Sequence, residues 1–159
     1  MGDPDIRFYH LTRRGLTAAL AALLDKALSA DRRAVVRAEP GADLSALSRA
    51  LWSGPPGSFL AHGHAGDPPT ARFAADQPIW LTTGGDNPAS ADVLFLLPGA
   101  DGAGDGGFAL ICHLFEGGDH AGVTAARAAW SAARAAGHDP TYWQETEAGG
   151  WARKGARGS

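Results

Sequence analysis

Residues 15–30 read GLTAALAALLDKALSA, and this stretch constrains the fold more than any other. Leu16, Leu20, Leu23, Leu24 and Leu28 recur at steps of three and four or side by side, which places them on one face of a helix. A helix with one apolar face must bury it against another element. The flanking segments supply that element. DIRFYHL (5–11) reads as a strand with Ile6, Phe8 and His10 on one side, and RAVVRA (33–38) as a short β-branched strand. GADLSALSRALW (41–52) is a second amphipathic helix with Leu44, Leu47, Leu51 and Trp52 on one stripe, ended by GPPG. The order β-α-β-α predicts parallel strands with helices packed on them.

The next segments change character. SFLAH (58–62), PIWLTT (78–83), DVLFLLP (92–98) and FALICHLF (108–115) are short apolar runs separated by Gly, Pro and Asp. With no helix pattern between them they read as strands, part of the sheet being antiparallel or meandering. HAGVTAARAAWSAARAAG (120–137) is a long Ala-rich helix with Gly137 at its C′ position. DPTYWQ (139–144) reads as a final short strand. The expected fold is therefore α/β: a single domain over 1–144 with an open, mixed but mostly parallel sheet flanked by helices. Residues 145–159 read as a flexible polar tail in which GGW lets Trp151 fold back on the domain.

Charge and cysteine usage narrow the function. At 45% hydrophobic and 19% charged residues the chain has enough apolar surface to fold. A net charge of −3 argues against holding a nucleic acid by bulk electrostatics, although Arg127, Arg134, Arg153, Lys154 and Arg157 collect in the last third. Cys112 is the single cysteine, which excludes an intramolecular disulfide and fits a cytoplasmic location. MGDPDIRFYH lacks the apolar core of a signal peptide, and LTAALAALL is too short to span a bilayer, so no membrane association is expected.

The catalytic and metal motifs are weak. In SFLAHGHAGD, an extended backbone would turn His62 and His64 to the same side, near Asp67, but no third or fourth ligand has the right spacing; a polar loop and no metal or cofactor is the reading. Gly102 to Gly107 match the dinucleotide glycine pattern, yet a strand follows where a helix should open, and Asp101 and Asp105 would repel a phosphate, so 99–107 reads as a hairpin loop. Cys112 and His113 are strand neighbours on opposite faces and cannot form a thiol–imidazole pair. No nucleophile elbow and no paired carboxylates occur. A rival reading is an α/β enzyme with a small-molecule site at the carboxyl ends of the parallel strands, where Arg13, Arg14 and Glu39 are the candidates. Val123, Arg127, Trp130 and Arg134 share one face of the long helix, either as core with a solvated rim or as a binding face.

FYHL (8–11), LSRALW (47–52), SFLAHGHAGD (58–67), PIWL (78–81), ADVLFLLP (91–98), ARAAWSAARAAGHD (126–139) and YWQETEAGGWARK (142–154) together resemble, in order and spacing, the chi subunit of bacterial DNA polymerase III. The resemblance implies an open α/β domain without catalytic activity, an accessory subunit of the clamp-loader assembly. One surface would hold the acidic C-terminal tail of the single-stranded-DNA-binding protein, so that DNA is contacted indirectly. A separate surface would hold the psi subunit, which connects to the clamp loader; a helicase is a further candidate partner. Trp52, Arg127 and Trp130 match the tail-receiving positions of that family, and Phe59 and His62 match a strand and loop near the partner side, a candidate second partner surface. A tail ending in acidic residues and Pro-Phe would pair its carboxylate with Arg127 and wall its phenyl ring with Trp52 and Trp130. Val123 stands where the family often has a basic residue, and Glu116 and Asp119 add negative charge nearby; both weaken the attraction for an acidic tail.

Overall fold

The computed structural model describes residues 5–12, 16–52, 63–64, 79–83, 91–100, 108–146 and 151–154. The strands are β1 (Asp5–Leu11), β2 (Ala34–Arg37), β3 (Gly63–His64), β4 (Ile79–Thr82), β5 (Val93–Leu96), β6 (Leu110–Glu116), β7 (Thr141–Glu145) and β8 (Trp151–Lys154). The helices are α1 (Leu16–Ser29), α2 (Leu44–Trp52) and α3 (His120–Ala135). The strands form one sheet in the order β3-β4-β2-β5-β6-β1-β7-β8. This is the open, mostly parallel α/β sheet that the helix–strand alternation predicts.

Every described strand pair is parallel except β7 with β8. The expectation of an antiparallel or meandering middle is corrected here. β4 and β5 do not pair with each other; they flank β2 from its two sides. Likewise β5 and β6 are parallel neighbours and so are not the two arms of a hairpin; residues 101–107 of the glycine-rich stretch lie outside the described residues. The strands themselves carried the signal. All residues of β2, β4 and β5 are buried, the pattern of strands covered on both faces. Gly- and Pro-rich connections look the same from the sequence whether they turn back or cross over.

The two faces have different cores. On one face Leu20, Leu23 and Leu24 of α1 and Leu44 of α2 pack with Tyr9, Val36, Leu81, Phe95, Cys112 and Leu114. On the other, Val123, Ala126, Ala129, Trp130 and Ala133 of α3 lie on Ile6, Phe8, Val35, Trp80, Leu94, Ile111 and Phe115. Burying a leucine such as Leu20 or Leu24 in this way contributes roughly 1.5–3 kcal/mol.

Helix ends follow local chemistry. Asp43 caps α2 by accepting the Ala46 amide at 3.1 Å. α1 and α3 both close with the paired 6→1 and 5→2 amide bonds of a Schellman turn. α3 uses Gly137 at φ 91°, as its sequence predicts, whereas α1 uses Asp31 at φ 59°.

The C-terminal segment departs from the tail reading. Glu145 closes β7, and residues 151–154 form β8, antiparallel to it. Trp151 sets its ring edge-on to Tyr9 with centroids 4.9 Å apart and packs against the first core.

Candidate functional site: the outer face of the third helix

The site is built by α3 and the strands beneath it. Its alanines, Ala126, Ala129 and Ala133, let the helix lie close on the sheet, and Trp130 is the large side chain that fills the remaining space. The Trp130 ring stands edge-on to Phe8 (centroids 5.2 Å) and to Tyr142 of β7 (6.4 Å). Such edge contacts between quadrupoles favour one orientation of the indole. The four residues expected on one stripe are thereby divided. Val123 and Trp130 lean on the sheet half-buried, while Arg127 and Arg134 are exposed. The stripe is both core and surface, and its two alternatives are not exclusive.

Arg127 is placed one turn from Trp130, and its charge acts on the Tyr142 hydroxyl. Burial raises the Tyr142 pKa, and the nearby guanidinium pulls it back down. The Tyr142 hydroxyl is hydrogen-bonded to Nδ1 of His10 on β1. His10 in turn stacks on Phe115 with centroids 5.0 Å apart, and burial lowers its pKa. A Cβ on Gly117 would collide with Nε2 of His10, so the glycine is what leaves the imidazole its place. Glu116 and Asp119, at the turn entering α3, are exposed.

The remaining candidates fall as follows. Trp52 ends α2, with its side chain outside the described residues; Phe59, His62, Asp67, Arg13 and Arg14 also lie outside them. Glu39 lies against Gly99, where an added Cβ would sit 2.8 Å from its carboxylate oxygen. Among the described residues no group of three or more His, Cys, Asp or Glu is arranged to hold a metal. Cys112 and His113 are separated by the sheet as strand alternation requires. Cys112 is buried with the first core, and burial pushes its thiol up to about 12. His113 stacks on Phe8 at 4.4 Å on the other side, and burial pushes it down to about 4. No helix among the described residues is long and apolar enough to cross a membrane.

Sequence reading missed Tyr142 as a member of this site and gave His10 no role beyond a strand face. The two residues are 132 positions apart, and only the pairing of β7 beside β1 joins them. No local pattern announces it.

Fold and site define a small open-sheet α/β protein whose third helix presents a cation beside a half-buried aromatic cluster. The chain belongs to the DNA polymerase III chi subunit family: the family model described as "DNA polymerase III chi subunit, HolC" matches residues 4–141. It is a replication accessory subunit of a family that is non-catalytic within the polymerase. Comparisons with curated proteins and with solved structures found no match.

Proposed function

We propose that the outer face of α3 binds the acidic C-terminal tail of single-stranded-DNA-binding protein and thereby links the polymerase to coated lagging-strand DNA. The observation that supports this reading is the exposed Arg127 beside the fixed, half-buried Trp130. A guanidinium with an aromatic wall suits a peptide that ends in a carboxylate next to a phenyl ring. Trp52 would supply a second wall, and Phe59 and His62 a further partner surface. Membership of the chi family supports attachment of the chain to the clamp loader through a psi subunit on a separate surface. DNA would then be contacted only through the coating protein, consistent with the net charge of −3.

The test is a calorimetric titration of the full chain with a peptide ending Asp-Asp-Ile-Pro-Phe, in free-acid and amidated forms. Saturable one-to-one binding of the free acid, weakened by amidation, is the expected result. Equal binding of both forms, or none, would remove Arg127 as the carboxylate anchor.

A further inference from the structure

The hydrogen-bonded pair of His10 and Tyr142 lies beside Trp130 on the α3 side of the sheet. The ring of Tyr142 lies on the α3 side of the sheet, edge-on to Trp130, and its hydroxyl is within the electrostatic reach of Arg127. Its hydrogen-bond partner is a histidine ring nitrogen, which accepts or donates depending on tautomer and protonation. His10 itself is confined by the stack with Phe115 and by Gly117. The pair is therefore a fixed hydrogen bond whose polarity can reverse without movement of the rings.

We propose that Tyr142, positioned by His10, is a second contact for the ligand carboxylate beside Arg127. This rests on the tail-binding reading and deepens it. When Nδ1 of His10 accepts, the single hydroxyl proton of Tyr142 is spent on it, and only oxygen lone pairs face an incoming anion. When Nδ1 carries a proton, His10 donates to the tyrosine oxygen and the hydroxyl proton is free to turn to the carboxylate. An anion at Arg127 thus selects the donating form of His10, either the Nδ1–H tautomer or the imidazolium. The imidazolium adds a positive charge behind the hydroxyl, so binding is linked to proton uptake.

The charged and titratable groups on the elements packed around His10 are Tyr142 and Glu145 on β7, Cys112, His113 and Glu116 on β6, Asp119 at the turn, and His120, Arg127 and Arg134 on α3; Cys112 lies in the core on the other face, and His113, pushed down to about 4 by burial, stays neutral between pH 7.5 and 5.5. Glu145 is buried and occupied, since its Oε1 accepts the Thr12 amide at 3.1 Å. Glu116 and Asp119 are exposed. His120 is exposed, and it is separated from His10 by variant.

The sign follows from burial. The free site holds His10 below its ordinary pKa, and a bound carboxylate raises it. Affinity therefore rises as pH falls from 7.5 to 5.5, while the peptide's own carboxylates stay ionised.

The experiment measures affinity of the full chain for the free-acid and amidated peptides at pH 7.5 and 5.5, with the His10 ring titration followed by NMR. Tyr142→Phe keeps the ring that packs on Trp130. It should weaken the free-acid peptide about three- to tenfold, leave the amidated peptide nearly unchanged, and abolish the pH dependence. His10→Gln should also flatten the pH profile, whereas His120→Gln should not. In wild type the His10 ring should titrate at higher pH with peptide than without, a result that needs no variant to fold. If Arg127→Ala weakens binding but Tyr142→Phe does not, and the His10 titration is unmoved by peptide, this proposal is overturned and tail binding stands. If wild type fails to bind, or Arg127→Ala is without effect, both fall together.

Discussion

Arg127 and His113 show how differently two basic side chains behave on the α3 side of the sheet, one exposed and the other stacked on Phe8. Arg127 is exposed when free, so Arg127→Ala should leave the unfolding free energy from urea denaturation within about half a kcal/mol of wild type. In the complex, loss of a charge-assisted contact costs roughly 1.5–3 kcal/mol, on the order of tenfold to a hundredfold in affinity. Amidating the peptide should reproduce most of that loss, and the two changes together should be less than additive, because they remove the same contact. His113 is the reverse case. It stacks on Phe8, and burial holds its pKa at about 4 against an ordinary 6.5. The folded protein stays unprotonated there while the unfolded chain takes up a proton. Stability from this group is complete above pH ~6.5 and is lost as pH falls towards the folded value, by on the order of 2–3 kcal/mol. His113→Phe keeps the stack and removes the titration. Its urea midpoint should fall less than that of wild type between pH 7.5 and pH 4.5, and equal drops in the two proteins would show that His113 is not the group responsible.

At the scale of elements, the caps and the edge strand carry the sharpest expectations. α1 and α3 end in the same hydrogen-bonded turn, but α1 places Asp31 in the left-handed region that favours glycine. Asp31→Gly should therefore raise stability by about 0.5–1 kcal/mol, whereas Gly137→Ala should lower it by a similar amount, both read by urea denaturation. The C-terminal edge is the other case. β8 covers β7, and Trp151 closes on Tyr9, whose hydroxyl receives Arg7 at 3.3 Å; the Arg7 guanidinium lies 5.7 Å from the centre of the Trp143 ring. Removing residues from Gly149 onward uncovers β7 as an edge and empties the Trp151 contact. The truncated chain should be less stable by roughly 2–4 kcal/mol and more prone to associate, which denaturation and size-exclusion chromatography would reveal. A truncation with the stability of the full chain would show that the segment is dispensable.

Over the whole molecule, what could be read in advance was whatever repeats at short range. Leu16, Leu20, Leu23, Leu24 and Leu28 declare α1 because 3.6-residue periodicity is a property of the segment itself. Gly137 declares the end of α3 because its backbone conformation is a local steric matter. The apolar runs at β2, β4, β5 and β6 declare strands, and the helix–strand alternation declares a mostly parallel α/β sheet. Strand order and direction were different. Placing β4 and β5 on opposite sides of β2 depends on which buried faces fit together once α1 and α2 cover one side and α3 the other, and no run of residues encodes that alone. The site divides along the same line. Arg127 and Trp130 were legible because four residues of one helix share a face. His10 and Tyr142 were not, because they meet through the pairing of the first strand with one more than a hundred positions later. The sequence by itself determined the three helices, the strands β1, β2 and β4 to β7, the end of α3 at Gly137 and the run of Arg127 and Trp130 along α3. Only the tertiary structure decided that Val123 and Trp130 support that face while Arg127 is left to solvent, since burial is a property of what the sheet places beneath a helix and not of the helix.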